Sequence, residues 1–205
     1  MPTDEQTSTD AEIRRFFEEP QDLTSLELQL IVAQGLTVEQ ARETIAERGR
    51  VNAKAGELVN RPVKEWPEFE VKWDLEPTSF YWALDGEQPS ALKGRNLAVR
   101  WCVLQNLDAM LTHQSQRSPD ELWNLGDGLK LARVLVHCSE GRSLTPPWIL
   151  PVAGKVGIVG GHHRLAMCRA KRLEQVPVLV EQGDLEQFLS ILPLQTIGEV
   201  LDGEV

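Results

Sequence analysis

The chain has 205 residues, 41% hydrophobic and 25% charged, with 21 lysines and arginines against 31 aspartates and glutamates and a formal net charge of −10. That composition excludes disorder throughout and fits one domain or one and a half, large enough to bury roughly 70% of the unfolded surface without disulfides or a structural metal. Three cysteines cannot all pair and no apolar run approaches the ~20 residues of a bilayer span, so a cytoplasmic protein with no membrane partner is expected.

In chain order, residues 1–60 read as a helical N-terminal element. Asp10 precedes AEIRRFFEE, and LTSLELQLIVAQG and LTVEQARETIAERG carry apolar residues at a spacing of about 3.6 and end at Gly35 and Gly49. Two helices meeting at Gly35-Leu36-Thr37 share the geometry of a helix-turn-helix. Residues 1–60 hold 12 acids against six bases, however, and a DNA-reading helix needs the opposite sign. The element is expected to pack on the rest of the chain or to dock a basic protein partner.

Residues 61–205 read as the second domain. Pro62 and Pro67 punctuate EFEVKWDLEPTSFYWALDG, whose near-alternate aromatic and β-branched residues predict one or two strands, with the six tryptophans mostly in the core. Helices are predicted over 95–115 and over 120–138, the second interrupted at Gly126 and Gly128. After Gly141, PPWILPV, a turn at Ala153-Gly154-Lys155, VGIVGG, HHRLAMCRAKRL and VPVLVEQ predict strand, turn, strand, helix, strand. GDLEQFLSIL follows as a helix with Asp184 as its N-cap, and the acidic end LDGEV is expected to fray. The elements are thus a mixture of helices and strands.

Charge is distributed unevenly. Residues 1–129 carry 13 bases against 23 acids and residues 181–205 none against six, whereas 130–180 carries eight bases against two acids. A basic segment between acidic flanks draws an anion to one place and suits a nucleotide better than a long DNA footprint.

Within that segment a strand ends at Gly160-Gly161 and passes into a helix beginning His162-His163-Arg164. Glycines at such a junction allow a sharp turn and close ligand approach, and the first N–H groups of the helix act as anion donors. A cation in the first turn opposes the helix dipole by ~0.3–1 kcal/mol, a conflict that a bound phosphate resolves. His162 and His163 diverge by about 100° on a helix, so at most one faces the phosphates, where it could donate to them or take a proton from an attacking hydroxyl. Arg169, Lys171 and Arg172 extend the positive surface and are the nucleic-acid candidates. Cys102 and Cys138 lie on apolar stretches and read as core.

GIVGGHHRLAMCRAKRLEQVPVLVE resembles the ligand-binding box of the ParB/sulfiredoxin superfamily, a strand-Gly-x-x-Arg-helix unit followed by a short "VPV" strand; the likeness runs from Pro146 to Val180 and more loosely over Leu129–Arg142. It implies a ParB/sulfiredoxin-like fold of the α+β class, a small mixed sheet with packed helices, that binds ATP or another nucleoside triphosphate, with Gly160, Gly161, His162, His163 and Arg164 at the phosphates and Mg²⁺ beside them. His162 stands where sulfiredoxins carry their reactive cysteine, which argues against thiol chemistry. The short acidic remainder argues against a complete partition protein. The chain is closest in character to single-domain plasmid fertility-inhibition proteins, which implies ATP hydrolysis and DNA cleavage in plasmid transfer or maintenance; if DNA is bound, the short basic strip fits single strands more easily. His162, His163 and Glu140 are the catalytic candidates under this reading. A small-molecule kinase of the free-serine type and a non-catalytic, nucleotide-regulated binding protein are the alternatives. The metal ligands stay undetermined, with Glu140, Asp85 and Glu87 as the acidic candidates.

Overall fold

The computed structural model describes residues 23–84, 89–116, 122–124 and 127–196. The segment AEIRRFFEE, the acids Asp85 and Glu87, Gly126 and the C-terminal LDGEV lie outside them. The chain divides into two compact units, Met1–Gly49 and Arg50–Val205, whereas the sequence places the boundary near residue 60.

In the first unit, helix α1 (Ser25–Gln34) opens with a capping box. The Thr24 hydroxyl accepts from the Glu27 N–H and the Glu27 carboxylate accepts from the Thr24 N–H, so two otherwise unmatched donors are satisfied. The helix ends at Gly35, whose φ of 66° is the left-handed conformation that glycine adopts at low cost. Thr37 and Gln40 repeat the reciprocal pairing at the next start, and helix α2 (Val38–Leu58) runs through Gly49 instead of ending there. An interior glycine costs only about 1 kcal/mol relative to alanine. The packing of Ala55 with Ala132 and Val136 in a small apolar cluster offsets it.

The second unit is α+β. Its four-stranded sheet consists of β1 (Leu97–Val103), β2 (Trp148–Val152), β3 (Lys155–Gly160) and β4 (Gln175–Glu181) in the spatial order β1-β4-β2-β3. β1 and β4 are antiparallel, β2 and β3 form an antiparallel hairpin, and β2 meets β4 in parallel at Trp148 and Leu179. The run Val176–Val180 is buried throughout, as a strand covered on both faces requires.

Three expectations are corrected. Residues 95–115 do not form one helix: Leu97–Val103 is strand β1, and helix α3 (Leu104–Met110) follows it. A continuous apolar run fits either period, and here antiparallel pairing with β4 decides the conformation. Over its described residues, 68–84, the aromatic stretch forms no strand beyond a single bridge between Trp73 and Leu144. Its second half, Pro77–Leu84, is a 3-10 helix that buries Phe80 and Ala83. The helix predicted over 120–138 begins at Gly128 as α4 (Gly128–Ser139), with the Asp127 carboxylate accepting from the Leu129 N–H.

From Trp148 to Glu181 the predicted order of strand, turn, strand, helix, strand is present as β2, β3, α5 (His162–Ala170) and β4. Helices α4 and α5 pack together, and Leu131, Leu135, Leu165 and Met167 join Ile149, Val178 and Val180 of the sheet in the main core. The last helix, α6 (Leu185–Leu189), buries Phe188; Asp184 is its N-cap residue but makes no side-chain cap hydrogen bond.

Candidate functional site

The turn from β3 into α5 is built around two glycines. A Cβ on Gly160 would lie 2.0 Å from the carbonyl oxygen of Ala83, and one on Gly161 would lie 2.7 Å from Cβ of Pro147. Gly161 also has a φ of 100°. The close approach expected at these glycines is therefore made by the protein itself, through the 3-10 segment and the Pro146-Pro147 loop.

Arg164 locks that arrangement. Its guanidinium is buried and donates from Nη1 to the carbonyls of Thr145 and Pro146 at 2.5 and 3.3 Å, and from Nη2 to those of Trp82 and Ala83 at 3.3 and 3.1 Å. Five donors in a rigid fork make arginine suited to such bracing.

In front of the corner lies a cleft of about 190 Å³ lined by Gly161, His163 and Arg164 from the start of α5 and by Lys130, Arg133 and Val134 from α4. Lys130 and Arg133, three residues apart, share one helix face. Arg133 is oriented by its Nε, which donates to Oδ1 of Asn52 at 2.7 Å. Three cationic side chains and the positive end of a helix thus converge on one small space, and no carboxylate is among its described lining residues. Of the two histidines, His163 lines the cleft and His162 does not, as their divergence on the helix requires.

Glu140 is held elsewhere. It follows α4 and is bound by Arg50, Lys54 and Arg142, with distances of 2.9 Å to Lys54 and 2.6 Å to Arg142. The hydrogen bonds from Arg50 and then Lys54 hold its carboxyl well below the usual carboxylate range. It lies roughly 10 Å along the helix from Arg133 and does not join the cleft. Among the described residues no group of three or more His, Cys, Asp or Glu side chains gathers as a metal site, and the cleft lining by itself supplies cations rather than ligands for Mg²⁺.

The proposed nucleic-acid residues sit at the other end of α5. Arg169 forms a two-pronged ion pair with Asp108, at 3.0 and 2.6 Å to Oδ1. The Lys171 ammonium rests 4.6 Å from the centroid of the Phe69 ring. Arg172 is exposed and borders a groove of about 620 Å³ that also includes Asp108, Arg169 and Glu174. The three cysteines are free and buried, and burial pushes each thiol up to about 12.

Sequence reasoning located the corner and Arg164 but left Lys130 and Arg133 as undifferentiated members of a basic segment. Their three-residue spacing on a predicted helix was the available signal. Asn52, Arg50 and Lys54 carried none, because their partners lie more than 80 residues away. Comparison of the chain with protein-family models, curated proteins and solved structures gave no match.

Proposed function

We propose that this protein binds a nucleoside triphosphate, with the phosphates in the cleft between α4 and α5. The observation that carries the reading is the convergence of Lys130, Arg133, His163 and Arg164 around Gly161, with no acid among the described lining residues. Such a site repels cations and concentrates polyanions. The strand-Gly-x-x-Arg-helix unit supports a ParB/sulfiredoxin-like ancestry, and with it a role in plasmid or DNA maintenance. Lys130 and Arg133 bind the outer phosphates, the α5 N-terminus the inner ones, and Arg164 supplies charge from the floor while bracing the loops. Hydrolysis of ATP would rest on His163 as the group that takes the proton from attacking water. The engagement of Glu140 by three cations favours a second reading, a nucleotide-regulated binding protein without turnover.

Isothermal titration with ATP tests the reading. Lys130→Ala and Arg133→Ala should each weaken binding roughly 10- to 100-fold, the worth of a charge-assisted hydrogen bond. Equal affinity in the double variant would remove the cleft from consideration. Phosphate release that is lost in His163→Ala while ATP still binds would separate the hydrolase from the non-catalytic reading.

A further inference from the structure

Several arginines of this protein are held by carboxylates. Arg50 and Arg142 end on Glu140, Arg95 on Glu181 and Arg169 on Asp108, and each pairing offsets the charge that it orients. Arg133, on the wall of the cleft, is held differently. Its Nε donates to the amide oxygen Oδ1 of Asn52 at 2.7 Å. Among the described residues that is the one hydrogen bond its guanidinium makes.

Asn52 is an exposed residue in the interior of α2, where asparagine is a weaker helix former than alanine, lysine or glutamate. Its neighbours fix its place: Val51 and Ala55 pack with Ala132 and Val136 of α4 in the small apolar cluster, so the amide stands at a set height beside Arg133. A guanidinium carries five donors. With Nε engaged, the four on Nη1 and Nη2 remain, in the planar fork that meets two oxygens of one phosphate. Because the amide that holds the fork is neutral, the full positive charge goes with it.

We infer that Asn52 is a positioning residue of the phosphate site: it fixes the Arg133 guanidinium through Nε, leaves both Nη groups to a terminal phosphate of the nucleotide, and does so without offsetting their charge. The inference rests on the phosphate reading of the cleft and is separable from it. A fork held in place before the ligand arrives loses less freedom on binding than one that must be ordered by it.

The test is isothermal titration of ATP into the full chain, with urea denaturation alongside. Asn52→Ala should weaken ATP binding roughly 2- to 10-fold, the worth of one hydrogen bond, at an unchanged or raised urea midpoint. In an Arg133→Ala background the same substitution should alter the affinity by less than about 2-fold, because the two side chains act as one unit. Asn52→Asp separates orientation from charge: its carboxylate still accepts from Nε but offsets the guanidinium, so ATP should bind roughly 10-fold or more below the native level and more weakly than to Asn52→Ala. Native affinity in Asn52→Ala, a loss that persists in full without Arg133, or ATP binding to Asn52→Asp at the native level would overturn the positioning role; ATP binding that still depends on Lys130 and Arg133 would keep the phosphate cleft standing. Failure of the native protein to bind ATP would overturn the cleft and the positioning role together.

Discussion

Four backbone carbonyls, two from the 3-10 helix Pro77–Leu84 and two from the Thr145-Pro146 loop, end on one guanidinium, that of Arg164, which is only 7% exposed. A side chain that binds ligand alone can be cut back without harm to the fold; this one cannot. Arg164→Ala should lower the unfolding free energy by about 2–4 kcal/mol, since buried acceptors lose their donors. Arg164→Lys should recover little, because an ammonium cannot span carbonyls on both sides as the planar fork does. Urea denaturation measures both, and a loss below about 1 kcal/mol in the alanine variant would show that the carbonyls find water instead. Lys130 is exposed and Arg133 half-buried on the wall of the same cleft, so variants at those two positions should disturb the fold less than Arg164→Ala does.

Helix ends supply the tests at the level of elements. At the C-terminus of α5 the Leu173 N–H bonds to the Cys168 carbonyl and the Arg172 N–H to that of Arg169, a Schellman closure whose left-handed position, with φ of 57°, is held by Arg172 where glycine is usual. Arg172→Gly should raise stability by about 1 kcal/mol through relief of the left-handed strain; an unchanged denaturation midpoint would mean that the arginine side chain makes up the difference. At the N-terminus of α1, the hydrogen bonds from Thr24 and then Arg42 lower the Glu27 pKa from 4.5 to about 2. As pH falls the unfolded chain takes up this proton first. The contribution of Glu27 is therefore complete above about pH 4.5 and is lost as pH drops through 2. Glu27→Gln should flatten the acid limb of α1 helicity in that window, and an unaltered limb would assign it to other carboxylates. The elements also show what could be read in advance. The passage from β2 to β4 was legible because its alternation, glycine turns and VPVLV run all agree locally. Strand β1 was not, because LAVRWCVLQNLDAM satisfies the helical period, and only β4, more than 70 residues away, makes it a strand. The corner of the candidate site was legible for the same local reason, whereas the α4 wall was visible only as charge.

The chain carries an acid excess of ten and a basic region that folding enlarges: Arg50 and Lys54, from the acidic first 60 residues, join Arg142 around Glu140. Folding also neutralises a cation, since Arg169 pairs with Asp108, and it buries Arg164 against carbonyls. Any single-stranded DNA contact through the far end of α5 therefore falls to Lys171, Arg172 and few others. That end is separated from the cleft at Gly161 by the nine residues of α5, about 13 Å of helix. Two or three neutralised phosphates on a single strand should give a slope of log K against log[salt] between about −1.4 and −2.1, shallow for a nucleic-acid binder. Lys171→Glu with Arg172→Glu should abolish the DNA complex and leave ATP titration unchanged, because the cations that line the cleft, Lys130 and Arg133, lie by the opposite end of α5. Simultaneous loss of both would mean that DNA and nucleotide share the cleft. If no DNA is retained by the native protein at roughly 0.15 M salt, the acidic flanks dominate the surface, and the cleft serves a free nucleotide alone.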